Sequence, residues 1–135
     1  MQSNSENPSK KRLWTGRIMT GFAALFLFAD GVAKLFKPAM VVEGTVYLGY
    51  AESVIVPLGI VLVTCTLLYA FPRTSVLGAI LLTGYLGGAV ATHTRVGDPL
   101  FSNVLFPVYL GILIWGGIYL RDSRIPELIP LRSRQ

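Results

Sequence analysis

Residues 54–71 read "VIVPLGIVLVTCTLLYAF", eighteen consecutive residues without a charge. At ~1.5 Å of rise per residue, such a run has the length of a helix that crosses a bilayer. Three more runs resemble it. They are 14–36 "WTGRIMTGFAALFLFADGVAKLF", 76–94 "VLGAILLTGYLGGAVATHT" and 100–120 "LFSNVLFPVYLGILIWGGIYL". Open strands would leave backbone groups unpaired in lipid, and four strands cannot close a barrel. The sequence therefore predicts an all-α fold, an integral membrane four-helix bundle.

Composition agrees. The chain has 135 residues, of which 53% are hydrophobic and 14% charged, and its mean hydropathy is +0.59. Soluble proteins carry about 25% charged residues. One domain of this size has no room to hide so much apolar surface from water. The single cysteine, Cys65, lies inside the second run. It rules out an intrachain disulfide, a dithiol redox pair and a cysteine-rich metal site. With one histidine besides, no metal site is expected.

The net charge of +5 is distributed to flank the helices. Lys10, Lys11, Arg12 and Arg17 precede or open the first run, Arg73 lies between the second and third, and Arg121, Arg124, Arg132 and Arg134 follow the last. With both termini cytoplasmic, nine of the twelve basic residues lie inside, leaving Lys34, Lys37 and Arg95 outside. That is the positive-inside pattern. It accounts for the basic balance without nucleic acid as a partner. Trp14, Tyr69, Phe71, Trp115 and Tyr119 then fall near the inner boundary, and Tyr47, Tyr50 and Phe101 near the outer one. The expected location is the inner (plasma) membrane of a bacterium, with the lipid bilayer as first partner.

Three regions follow. Residues 1–12 are polar and read as a disordered cytoplasmic N-terminus; 13–122 hold the four helices; 123–135 form a basic tail resting on the cytoplasmic lipid surface. The first helix is expected to be retained rather than cleaved as a signal peptide, since Asp30 interrupts its end and no small-x-small cleavage pattern follows. "PRTS" (72–75) and "RVGDP" (95–99) are tight turns. The longer link 37–53 reads as a short interfacial helix or an irregular cap.

The remaining charges share one end. Running outward from Arg17, the first helix brings Asp30 ~20 Å and Lys34 ~26 Å along its axis. The third helix brings His93 to ~26 Å. Glu52, Arg95 and Asp98 flank the same outer ends. Asp30, Lys34, Glu52, His93, Arg95 and Asp98 are therefore the candidate polar pocket. A lone aspartate in hydrocarbon costs ~2.5–3.5 kcal/mol, so Asp30 needs a partner. Either it pairs with Lys34 at i,i+4 in the favourable acid-first order, or it turns inward toward His93 or Arg95. The histidine brings an imidazole able to carry a proton near neutral pH.

Gly84 and Gly88 form a GxxxG step that Thr92 continues at the same spacing. Such ridges let membrane helices approach closely, so these three are expected to pack against a neighbouring helix. At 100° per residue His93 lies about 140° round from Gly88 and is expected on another face. The stretch is no phosphate loop, because it follows no strand and lacks the GxGxxG pattern.

Residues 71–101, "FPRTSVLGAILLTGYLGGAVATHTRVGDPLF", with "LGY" at 48–50, "LFPVYLGILIWGGIYLRD" at 105–122 and "LIPLR" at 128–132, resemble the DoxX-like family of small, mostly bacterial four-helix membrane proteins. The resemblance covers roughly residues 16–132. It implies a link to membrane redox chemistry, since the family takes its name from a subunit of a thiosulfate:quinone oxidoreductase. It carries no catalytic residue onto this chain. The function expected is a non-catalytic subunit or accessory protein of a membrane redox or quinone-linked process. The alternative is a small membrane enzyme or carrier in which Asp30, His93 and Arg95 handle protons or a quinone-type ligand. A quinone is thus the cofactor to look for, and a membrane or soluble oxidoreductase, or further copies of the chain, the protein partners. A transporter is disfavoured because four helices in one domain show no inverted repeat.

Overall fold

The structure is a computed structural model that describes residues 9–128. Six α-helices account for most of it, and no strand occurs among the described residues. Helix α1 spans Lys10–Phe36, α2 Ala39–Tyr47, α3 Ile55–Ala70, α4 Ser75–Arg95, α5 Phe106–Arg121 and α6 Ile125–Leu128. Four stretches are long and apolar enough to cross a membrane: Lys10–Phe36, Glu52–Ala70, Ser75–Arg95 and Leu100–Arg121.

The boundaries have local causes. The Ser9 hydroxyl accepts from the Arg12 N–H at 3.3 Å and caps α1. The helix therefore starts at Lys10, and residues 10–12 are helical rather than disordered; residues 1–8 lie outside the described part. At the other end Lys37 adopts φ +53°, donates to the Ala33 carbonyl at 3.1 Å and is followed by Pro38, which stops the helix. Between α3 and α4, the Thr74 hydroxyl donates to Leu68 O at 2.6 Å and the Ser75 hydroxyl to Tyr69 O at 2.7 Å, closing a short hairpin of helices.

The fourth span differs from one continuous helix. Residues Leu100–Val104 form a π-turn, with Val104 and Leu105 donating five residues back to Pro99 and Leu100 at 3.2 and 2.9 Å. Pro107 explains the break. It has no N–H for the Asn103 carbonyl, and its ring excludes a regular α-turn there. Where the basic tail begins, Arg124 pairs back to Asp122 at 2.7 Å, and the single turn of α6 follows, with Ile125 buried. Arg132 and Arg134 lie outside the described residues.

Helix α1 packs on α3 and α5, and α4 packs on the same two, so α1 and α4 face each other across the bundle. The core runs along the axis through Ala23, Leu27, Leu62, Ala79, Leu82, Ile114 and Ile118. Tyr69 is fully buried there; its hydroxyl donates to Ile114 O at 3.0 Å and lies 3.2 Å from Thr20 Oγ1.

Lipid tails are as apolar as leucine, so close van der Waals contact must hold such helices together. Glycine supplies it at three seams. A Cβ on Gly16 would come 2.8 Å from Gly117 O, one on Gly59 2.9 Å from Gly31 O, and one on Gly78 would strike the backbone nitrogen of Tyr69. Gly84 and Gly88 do not take part. A Cβ at either position would meet nothing within 4 Å. The predicted packing ridge thus meets no neighbour among the described residues, because α1 stands across an open space from that part of α4.

Candidate functional site

The open space is a cavity of about 470 Å³ between α1, α4 and α5, at the end of the bundle where His93 lies. It falls in the size range of ~300–1,000 Å³ typical of small-molecule sites. Its walls are mostly apolar. Phe26 of α1 and Phe106 at the start of α5 line it and meet edge to face, with ring centroids 5.4 Å apart. On α4, Gly84 and Gly88 leave a strip of helix backbone bare toward the cavity.

Two ion pairs stand at this end. On α1, Lys34 Nζ lies 2.6 Å from Asp30 Oδ2, and both residues line the cavity. The Lys34 side chain is 14% exposed and that of Asp30 42%. The i,i+4 spacing makes this pair a local product of the helix. On the opposite wall His93 Nδ1 lies 2.6 Å from Asp98 Oδ2. That pair is also local. Gly97 turns the chain at φ +76°, and the Asp98 N–H then donates to the His93 carbonyl at 3.1 Å. The carboxylate is brought back under the imidazole and is only 6% exposed.

Asp98 is the hub of this corner. Tyr47 donates its hydroxyl to Asp98 Oδ1 at 3.0 Å. The hydrogen bond from His93, and then that from Tyr47, hold the Asp98 carboxyl below the usual carboxylate range, against the effect of burial. The same bond raises the Tyr47 phenol above its ordinary value. An ionised Asp98 fixes the proton of His93 on Nδ1, which leaves Nε2 to meet a ligand.

The link 38–54 closes the cavity. Helix α2 and the turn after it are pinned to the end of α4 by three side chains. Tyr47 reaches Asp98, as above. Tyr50 donates to Thr92 Oγ1 at 2.7 Å, since Thr92 itself donates to Gly88 O at 2.8 Å. Arg95 Nη2 donates to Leu48 O at 2.6 Å. Gly49 is needed for this clasp: it adopts φ +93°, and a Cβ there would come 2.5 Å from Arg95 Nη2. Thr45, Leu48 and Tyr50 form the inner face of the cap over the cavity.

The six candidate residues therefore separate by position. Asp30, Lys34 and His93 line one cavity; Asp98 stands behind His93; Arg95 braces the cap. Glu52 pairs with Lys37 at 3.2 Å on the rim, outside the lining. Asp30 bonds to Lys34 and His93 to Asp98, so no hydrogen bond spans the cavity between Asp30 and His93. His93 and Gly88, expected on different faces, line the same space because the cavity wraps around a wide sector of α4. Thr92 lines it too and holds Tyr50.

Tyr47, Tyr50 and Tyr85 are site residues that the charges alone did not single out. Tyr85 lines the cavity from α4. Tyr47 and Tyr50 have the sequence signature of interfacial aromatics, which masks their role as clasps. Among the described residues, no three His, Cys, Asp or Glu side chains come together to hold a metal ion.

The arrangement defines a class: a multi-pass helical membrane protein with an apolar cavity that carries a few polar groups at one end. The chain matches the DoxX-like family over residues 18–117, and it belongs to that family. No curated protein and no solved structure matched it.

Proposed function

We propose that the protein is a ligand-holding subunit or accessory protein of a membrane redox process, and that its cavity receives the headgroup of a quinone-type molecule. The carrying observation is the cavity itself. A flat ring can lie against the bare backbone at Gly84 and Gly88. A quinone carbonyl would accept from Nε2–H of a protonated His93, a quinol hydroxyl would donate to Nε2 of the neutral ring, and the Lys34 ammonium on the facing wall offers a second donor. Family membership supports a redox setting, and the distribution of lysine and arginine supports cytoplasmic termini in a bacterial inner membrane. The site would then face the outer leaflet.

A small enzyme or carrier is the second reading, favoured by the His93–Asp98 pair, which can poise an imidazole for proton transfer. Arg95 has no part in that reading, since its guanidinium is committed to the cap.

The test is binding of a short-chain quinone to the purified protein in detergent, followed by ligand titration. Wild type is expected to bind. His93→Ala and Asp30→Asn should each weaken binding about tenfold, the loss of one charge-assisted hydrogen bond or of the Lys34 anchor. A wild type that binds no quinone would sink the proposal. A soluble oxidoreductase that co-purifies with wild-type membranes, with no turnover by the protein alone, would select the subunit reading over the enzyme.

A further inference from the structure

We infer that the ligand of this cavity carries a long apolar tail, and that the surface groove between α4 and α5 is the track that holds it. The inference rests on the ligand-binding reading above and adds the chemical class of the ligand.

The groove has a volume of about 360 Å³ and is lined by Leu86, Val90, Pro107, Gly111, Ile112 and Trp115, with Thr83 at the end of Trp115. It adjoins the cavity directly: Leu86 and Pro107 are walls of both. From Pro107 to Trp115 it follows α5 for ~12 Å along the helix axis, toward the middle of the bundle. That is the direction in which a chain attached to a headgroup in the cavity would descend beside lipid tails.

Its surface suits hydrocarbon. The polar atoms at its far end are consumed by one another: Trp115 Nε1 donates to Thr83 Oγ1 at 2.7 Å, and Thr83 donates to Ala79 O at 2.7 Å. Its floor is bare at Gly111, where a Cβ would meet nothing within 4 Å. A free lipid chain would fit the groove equally well, but it would have no reason to track the cavity. Adjacency across the shared walls Leu86 and Pro107 is the ground for assigning both spaces to one molecule.

The experiment uses Trp115 as reporter in a Trp14→Phe background, which leaves it the sole tryptophan. Purified full-length protein in one detergent is titrated with a tailless methylated benzoquinone and with its decyl homologue. The parent should bind the decyl compound at least about tenfold tighter, since each buried methylene adds ~0.8 kcal/mol. Gly111→Leu, which fills the groove, should bring the ratio of the two affinities close to one while the tailless compound binds unchanged. Val90→Phe obstructs the same groove from α4 and serves should Gly111→Leu not fold. Comparing the ratio between variants cancels partition into detergent. If the tailless quinone binds and the ratio is the same in the parent and in either folded variant, the groove assignment falls and the headgroup site stands. If neither quinone binds the parent, both fall.

Discussion

Gly78 and Gly88 lie on the same helix, ten residues apart, and alanine at each should have opposite consequences. At Gly78 the new methyl group would strike Tyr69 N and come 2.5 Å from Tyr69 Cα and 2.8 Å from Leu68 C. All three are backbone atoms at the end of α3 and cannot swing aside. The helices must separate, and overpacking of this kind costs ~1–3 kcal/mol. At Gly88 the methyl group enters the cavity and meets nothing within 4 Å. There the only stability effect is the gain in helix propensity, up to ~1 kcal/mol. The propensity gain is common to both positions, so the two variants should differ by the overpacking cost, about 1–3 kcal/mol. Equilibrium unfolding in mixed detergent micelles, read by circular dichroism, measures both. Gly88→Leu sharpens the contrast: the bundle should persist while quinone binding is lost. If Gly88→Ala destabilises as much as Gly78→Ala, the reasoning is wrong, and the ridge of α4 packs against another surface, such as a second copy of the chain.

Three further outcomes are expected. Asp98 is held ionised by His93 and Tyr47, so its contribution to docking the cap is present above the unfolded carboxylate value of ~3.9 and is lost as pH falls through its lower folded value. A spin label at Gly44→Cys, in a Cys65→Ser background, should gain mobility only as pH falls below the ordinary carboxylate range when Asp98 is intact and should already be mobile at pH 6 in Asp98→Asn; equal mobility in both at pH 6 would contradict the clasp. Tyr69→Phe removes the hydroxyl that bonds Ile114 O and should cost ~0.5–1.5 kcal/mol, whereas Tyr69→Ala should cost ~3–5 kcal/mol, in the same unfolding assay. For orientation, alkaline phosphatase fused after Gly97 should be active, as the proposed cytoplasmic termini require; an inactive fusion of normal abundance would reverse the topology.

Features carried by local spacing were legible in the sequence. Asp30 and Lys34 pair because four residues of helix bring them together, and the pair is seen at 2.6 Å. Turn chemistry at Gly97 and Asp98 announced the end of α4, though not that Asp98 returns to His93. The glycine ridge was an ambiguous signal. A GxxxG step describes a helix surface with a notch, and a notch serves equally for a neighbouring helix or for a cavity. The seams that do pack, Gly16 with Gly117 and Gly31 with Gly59, pair residues far apart in the chain, so no spacing within one helix reveals them.

By itself, the sequence determined that four apolar helices span the chain and that its unpaired-looking charges share one end. Both follow from hydrophobicity and from the fixed rise of a helix. Only the tertiary structure decided which of those charges face one another. The bundle places α1 and α4 across from each other, opens a cavity between them, and folds the 38–54 link over it through Tyr47, Tyr50 and Arg95. Depth along a helix is a property of one segment, whereas rotation about its axis is set by contacts with the others. That rotation sends Asp30, Lys34 and His93 to the cavity and leaves Glu52 on the rim.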